Sequence, residues 1–349
     1  MEEISVIGID LAKNVFELCA LTASGEVAWR RRLRRARFMR FLETTAPRCL
    51  VGMEACGGAH YWGRWLRGHG FEVKVMAPRA VRAYRQGPHK SDGRDARAAA
   101  EAATRGQVRS VRVKSEAAQA VQALVRLRTL QIKQMVQMGN QLRGILQEFG
   151  IVLPRGHKRL HDAIGRLREA AGWDKLPVIL RRAIEKLCEQ LAEQMRRVKQ
   201  ASDDLAAAIK DEESCVRLRT VPGLGPINAA TLSVALEAPQ AFRNGRDFAA
   251  SLRLVPRQWQ SAEKSRLGGI GRESANETRR HLVLAGQSLI TMVGRLREPP
   301  KDKFLLWIQK LSQRKNRNLL AAAVAGKLAR IAWAITARGE TYQPRLLTA

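Results

Sequence analysis

The chain is short of acid. It carries 32 Asp and Glu against 62 Lys and Arg, a formal net charge of +30. That imbalance points to a polyanion as partner. Cysteine is also scarce. Cys19, Cys49, Cys56, Cys188 and Cys215 are odd in number, scattered and never arranged as C-x-x-C. They fit reduced, mostly buried thiols and give no support to a disulfide framework or a zinc site. No apolar run reaches the ~18 residues that a transmembrane helix needs. The best candidate, residues 319–336, carries Lys327 and Arg330. The N-terminus opens with Glu2 and Glu3 and lacks the basic segment of a signal peptide. The expectation is a cytoplasmic protein with no membrane partner. His157 and His161 lie at i, i+4 without a third ligand nearby, so a metal there is set aside.

With 349 residues, the chain has room for two or three domains and a sizeable core. Its first apolar run, residues 4–10, is short and β-branched and predicts a buried strand. Asp10 breaks that pattern at the strand end. An unpaired buried carboxylate is costly, so Asp10 needs a cation or dense hydrogen bonding. A lone strand-end Asp is more often a turn or cap residue, but three later acids change the balance. Glu54 closes a second apolar strand, and Asp92 and Asp95 stand at i and i+3 where a helix begins, sharing one face. Four acids that end or open elements of a basic chain suggest a hard-cation site, with Mg²⁺ as the ion. Two such ions ~4 Å apart stabilise the attacking and leaving oxygens of a phosphodiester displacement.

Around these acids the pattern predicts strands at 4–10, 15–21 and 26–33, an antiparallel meander with Gly25 in a turn. Helix 38–45, the strand ending at Glu54, helix 60–67, strand 71–76, helix 79–85, a polar loop at 87–91 and helix 92–104 follow. The expected fold class is α/β plus α, beginning with a mixed sheet faced by helices. Placement of the acids matches the ribonuclease-H-like plan. The rival actin-like sugar-kinase fold would need a second Gly-rich phosphate motif, which is missing here.

From about residue 115 long helices take over. Val125, Ile132, Gly139 and Leu146 recur every seven residues, as do Ile184, Leu191, Val198 and Leu205. Such heptads favour a coiled coil or helical hairpin, within one chain or between two. Gly223 and Gly225 then make a tight turn between helices. A helix–hairpin–helix turn of that kind aims backbone N–H groups at a phosphate, and a plain helix connection is the equal alternative. A Walker loop is excluded because no Gly-Lys-Ser/Thr follows. Beyond it, Ser261 lies in a polar, Arg/Lys-flanked segment read as a Gly-rich loop, where the spacing alone makes it a hydroxyl contact to DNA phosphate. His281 is read as a helix-surface residue.

The motifs Gly8-Ile-Asp-Leu-Ala-Lys13, Met53-Glu-Ala-Cys-Gly-Gly-Ala-His-Tyr-Trp62 and Lys90-Ser-Asp-Gly-Arg-Asp-Ala96 resemble those of the DEDD transposases of bacterial insertion sequences. These are relatives of the pilin-gene invertase and include the bridge-RNA-guided recombinases. Thr220–Gly225, residues 245–254, Pro256-Arg-Gln258, Leu267-Gly-Gly-Ile270 and Arg279 resemble that family's second domain. The resemblance implies a RuvC-like domain (1–112) with Asp10, Glu54, Asp92 and Asp95 as Mg²⁺ ligands. It implies a coiled-coil oligomerisation region (113–213) forming a dimer or tetramer, and a mainly helical C-terminal domain (214–349). It raises Ser261 to a nucleophile that forms a phosphoserine link to DNA, with Ser265 as fallback. Alternatives are a nuclease using water and an inactive nucleic-acid-binding protein. Three departures stand out: Ala262 follows Ser261 where the family commonly has Gly, Gly271-Arg-Glu-Ser274 replaces Ser-Lys-x-Gly, and the residues before Arg279 are polar where the family has hydrophobics. DNA and a structured guide RNA are the implied partners, with Lys90, Gly223, Gly225, Arg257, Lys264, Arg279 and Arg280 as expected contacts.

Overall fold

The computed structural model describes residues 3–85, 92–261, 264–271 and 277–344. The chain divides into two compact units, Met1–Glu116 and Ala117–Ala349.

In the first unit β1 (Ile4–Asp10), β2 (Val15–Thr22) and β3 (Val27–Arg34) form the expected meander. Then come α1 (Arg35–Thr44), β4 (Leu50–Glu54), α2 (Ala59–Gly68), β5 (Glu72–Met76), α3 (Pro78–Arg82), α4 (Asp92–Thr104) and β6 (Ser110–Val111). The sheet runs β3-β2-β1-β4-β5-β6, with β4 parallel to β1 and β5 parallel to β4. This mixed sheet is compatible with a ribonuclease-H-like fold.

Strand alternation gives each face its own core. On one face Ile7 and Ile9 join Phe16, Leu18, Val51 and Met53 beneath α1 and α2. Phe16 stacks on Phe38 with ring centroids 4.2 Å apart, and Trp62 meets both edge-on at 5.2 and 4.9 Å. The other face packs on α4, whose Ala96, Ala99, Ala100 and Ala103 are buried. Gly8 and Gly52 are register partners on β1 and β4. A Cβ on Gly8 would lie 2.0 Å from the Ala96 carbonyl oxygen, and one on Gly52 2.5 Å from that of Ala99. The helix backbone therefore rests on two side-chain-free positions. Lys74, level with Gly52 on β5, donates to the carbonyls of Ala103 and Arg105 at 2.9 and 2.7 Å. It caps the carbonyl-rich C-terminus of α4, where a cation is favoured.

In the second unit α5 (Glu116–Gln147) and α7 (Val178–Ala208) lie antiparallel, with α6 (His157–Gly165) between them in sequence. Heptad residues Leu146, Ile184 and Leu191 share one core with Leu142, Leu160 and Trp173. Gly139 leaves room for Leu160, whose Cδ2 would lie 2.9 Å from an added Cβ. Gln194 on α7 donates to the Gln131 carbonyl at 3.0 Å, and Arg128 donates to Ser202 at 2.7 Å. Apart from Ile132, which lines an open groove on α5, the heptad seam is thus filled by pairing within the chain. Val125 and Leu205 join instead the next core, built by α8 (Glu213–Arg219), α9 (Pro226–Ala235), α10 (Gly245–Ser251), α11 (Glu277–Val293), α12 (Lys303–Ser312) and α13 (Arg317–Arg338). Among the described residues α13 alone is long and apolar enough to cross a membrane, and over half of its apolar window is buried in this core. The segment carrying Ser261, expected as a loop, is a β-hairpin of β7 (Pro256–Ser261) and β8 (Lys264–Ile270).

Because the Gly8 contact is with backbone, no side chain can move aside for a larger residue. Gly8→Ala is expected to destabilise the first unit by about 3 kcal/mol or more. Gly57→Ala, with nothing within 4 Å of its Cβ, is the reference. Urea unfolding followed by circular dichroism measures both, and equal midpoints would contradict the packing described.

Candidate active site

The register that pairs Gly8 with Gly52 also sets the acids. Asp10 and Glu54 each stand two residues beyond their glycine, on the same face, at the C-terminal ends of adjacent parallel strands. Both are half-buried. Nearby, the Cys56 thiol is pushed up first by burial and then by the negative charges of Asp10 and Glu54. On the other side of Asp10 its direct antiparallel partner is Glu17, whose own partner on β3 is Arg32. Directly opposed residues share a face and place their Cβ atoms about 5 Å apart. Arg32 Nε lies 3.2 Å from Glu17 Oε1. Four strands therefore carry a line of side chains, Arg32, Glu17, Asp10 and Glu54. Glu17 was not anticipated from the sequence, although strand alternation from Cys19 and Leu21 puts it on the α4 face.

The acids of α4 are placed differently. Asp92 is exposed in the first turn, whereas Asp95 is buried, with Arg85 Nε 2.5 Å from its Oδ1. The contact is one of charge; neither atom has a hydrogen-bond partner with proper alignment. The Asp95 side chain is only 7% exposed, so the guanidinium supplies the counter-charge that a buried carboxylate requires. Among the described residues no three His, Cys, Asp or Glu side chains converge as a metal-binding group. The Asp10–Glu54 pair fits a hydrated Mg²⁺ in donor chemistry, because that ion takes one or two carboxylates and keeps several waters. Asp95 is engaged by Arg85 instead. Lys90 lies outside the described residues.

In the second unit the β7–β8 hairpin pairs Ser261 with Lys264, and Gln260 with Ser265, at its tip. Trp259 is 54% exposed and lies across Gly268, where an added Cβ would be 2.3 Å from the indole ring. At the hairpin base three guanidinium groups gather around Gly271. Arg279 donates to its carbonyl, while Arg257 Nε and Arg253 Cδ lie 3.3 and 3.7 Å from where a Gly271 Cβ would be. The αα turn expected at Gly223 and Gly225 joins α8 to α9. Gly223 has φ 84°, and a Cβ there would strike Leu289 at 2.6 Å, so packing as well as backbone conformation selects glycine.

Arg280 stays 46% exposed, whereas His281 turns inward. Arg280 Nη2 approaches Thr129 Oγ1 at 3.4 Å and Glu277 Oε1 at 3.9 Å. His281, read from the sequence as a surface residue, is buried. It lies on the apolar stripe of α11 with Thr278, Leu282, Ala285 and Leu289. Its Nδ1 is 3.0 Å from Thr231 Oγ1, and that hydroxyl donates to the Ile227 carbonyl at 2.7 Å. Nδ1 is therefore the protonated nitrogen and Thr231 the acceptor. Burial, then the charge of Arg280, push His281 down to about 4.

Comparison with known proteins agrees with this arrangement. Residues 7–151 match the DEDD transposase family of the IS110 type, described as transposase, and residues 215–299 match the transposase IS116/IS110/IS902 family. The chain is 33% identical to the transposase for insertion sequence element IS1111A of Coxiella burnetii, over 98% of this chain and 92% of that protein. It is 35% identical to the transposase for insertion sequence element IS1328 of Yersinia enterocolitica, over 98% and 99%. The sheet, its acids and these likenesses define the class, an enzyme of DNA transposition. More particularly, the chain belongs to the IS110/IS116 family of insertion-sequence transposases.

His281 gives a pH prediction. In the unfolded chain it titrates near 6.5, and in the fold at about 4. As pH falls through this window the unfolded state gains a proton that the folded state refuses, so stability drops and levels off below about 4. His281→Gln is expected to remove roughly 2 kcal/mol of that acid-side loss. Urea unfolding at pH 7, 5.5 and 4.5 reads the difference, and identical slopes in both proteins would contradict it.

Proposed function

We propose that this transposase cuts and rejoins DNA through a RuvC-like, ribonuclease-H-like domain, with Asp10 and Glu54 at its centre and Ser261 as nucleophile. The observation that carries this reading is the placement of Asp10 and Glu54 side by side at adjacent parallel strand ends, in a chain of net charge +30. Paired acids at such a position suit the holding of a divalent cation beside a phosphodiester. Asp10 and Glu54 would hold Mg²⁺, with Asp92 and Asp95 joining once Asp95 exchanges Arg85 for the ion. Bound there, the ion would supply positive charge against the developing charge of the phosphodiester.

The chain's own groups supply the rest. The Ser261 oxygen bonds to phosphorus as the bond from phosphorus to the leaving deoxyribose oxygen breaks. That oxygen ends as a hydroxyl, carrying the proton which the serine has lost. The link formed is a phosphodiester, so a deoxyribose hydroxyl can reverse the exchange and rejoin strands without ATP. Arg257 and Lys264 flank the serine in sequence and suit the holding of the scissile phosphate by charge-assisted hydrogen bonds. Arg279, bonded to the Gly271 carbonyl, braces the hairpin base. Gly223 and Gly225 offer a further phosphate contact at the α8–α9 turn.

Two partners complete the proposal. A structured RNA encoded with the element would guide target choice, a reading supported by the excess of basic charge and by the motifs shared with guided recombinases. A second copy of the chain would assemble through the helical middle region. Since the heptad positions other than Ile132 are filled internally, the outer face of α5 is the surface suited to this. Leu127 and Leu130 there are 55 and 48% exposed.

Ser261→Ala is expected to lose the protein–DNA adduct and to slow strand exchange by roughly 10³-fold or more while retaining DNA binding. Asp10→Asn should lose cleavage in the same way, because it removes a ligand and leaves the basic surface intact. Mass spectrometry of denatured, nuclease-digested reactions locates the adduct. A phosphonucleotide on Ser265, or cleavage by Ser261→Ala without an adduct, would contradict the assignment.

A further inference from the structure

The first unit has a second charged feature, on the edge strand of the sheet and the helix that follows it. Seven arginines fall among the eleven residues 30–40, with no acid between Glu26 and Glu43. They lie on β3, the edge strand of the sheet, and on the first two turns of α1. Such a run is usually a solvated face, and four of the seven have local employment, among them Arg30, which is hydrogen-bonded to Cys19. Arg32 pairs with Glu17. The Arg31 guanidinium lies over the rings of Phe41 and Trp29, 4.6 and 5.5 Å from their centroids. That of Arg35 lies over Trp62 and Tyr61, at 4.9 and 5.9 Å.

Arg34, Arg37 and Arg40 are different. All three are exposed, and among the described residues none has an acidic partner. Arg37 and Arg40, spaced three apart, lie on the side of α1 away from its buried Phe38, Phe41 and Leu42, and Arg34 ends β3 as the extended N-cap of that helix. The helix adds to the same potential. Its N-cap, Arg34, makes no side-chain cap, and its first turn contains no acid. An uncapped helix start presents N–H groups and partial positive charge. Arg37 and Arg40 are like charges one turn apart on α1, an arrangement mildly unfavourable in the free protein. An external anion would relieve them.

We infer that Arg34, Arg37 and Arg40, at the β3–α1 corner, form a docking surface for the phosphate backbone of duplex DNA. This rests on the reading of the chain as a DNA transposase. Guanidinium groups bind phosphate bidentately, which favours arginine over lysine for such a surface. Duplex rather than single-stranded nucleic acid fits because single strands bind on open aromatic faces. Here Arg31 and Arg35 already cover rings of Trp29, Phe41, Tyr61 and Trp62. The surface would therefore hold and orient DNA without reading its sequence.

The test is the salt dependence of binding of the full chain to a 30-base-pair random-sequence DNA duplex, measured by fluorescence anisotropy. The proteins are the wild type, an Arg34→Ala/Arg37→Ala/Arg40→Ala variant, and a Lys175→Ala/Lys186→Ala/Lys199→Ala reference of equal charge. For every phosphate that is no longer neutralised, the slope of log K against log salt should fall by about 0.9. The arginine variant is expected to lose about two to three units of slope and at least tenfold in affinity, with circular dichroism unchanged. The lysine reference should change little. Equal losses in the two variants would overturn the inference by showing that only net charge matters. An unchanged slope in the arginine variant would sink the surface while leaving the transposase reading intact. An RNA duplex of the same length forms the second arm, and losses confined to RNA would overturn the assignment to DNA. A wild type that binds no DNA duplex would refute both readings.

Discussion

Everything in the first unit follows from one close approach, that of the α4 backbone to Gly8 and Gly52. A side chain at either position would collide with a carbonyl of the helix. With both absent, a face of alanines lies flat on the sheet and buries a second core with little side-chain volume. The same register then carries Asp10 and Glu54 out beyond the helix contact, two residues further along on the same face. Slipping β4 by one residue would turn Gly52 away from the helix and Glu54 into the aromatic core. Packing and chemistry are thus specified by a single register.

The way charge is handled separates the acids by role. In a chain of +30, carboxylates readily find cations, and Glu17 and Asp95 do so in Arg32 and Arg85. Asp10 and Glu54 stand side by side on one face at the ends of adjacent parallel strands. Two like charges so close are unfavourable unless a cation or hydrogen bonds offset them. The second unit spends its cations differently. Arg253, Arg257 and Arg279 cluster at a hairpin base around Gly271, while the exposed Arg280 lies beside a neutral His281.

Much of this could be read from the residues. Apolar alternation revealed the meander and the strand ending at Glu54, because a half-buried sheet imposes a period of two. The acids stood out as polar breaks at strand ends. Heptads in α5 and α7 predicted paired helices, and the structure pairs them within the chain. What escaped had a local signal that was weak or misleading. β6 has only two residues and exists through pairing with β5. The serine hairpin is polar and rich in glycine, so its strands imitate a loop. His281 was judged by its own polarity, although Thr278, Leu282, Ala285 and Leu289 mark its face as the buried one. The Asp95–Arg85 contact depends on how α3 meets α4, which no spacing in the sequence encodes.

The central claim is that Asp10 and Glu54 together hold a divalent cation. Isothermal titration of Mn²⁺ into chelator-treated full-length protein, repeated with Asp10→Asn/Glu54→Gln, tests this without requiring turnover. The account predicts saturable binding to the wild type that is displaced by excess Mg²⁺ and lost in the double variant, with the fold unchanged by circular dichroism. Equal Mn²⁺ binding by the two proteins would contradict it.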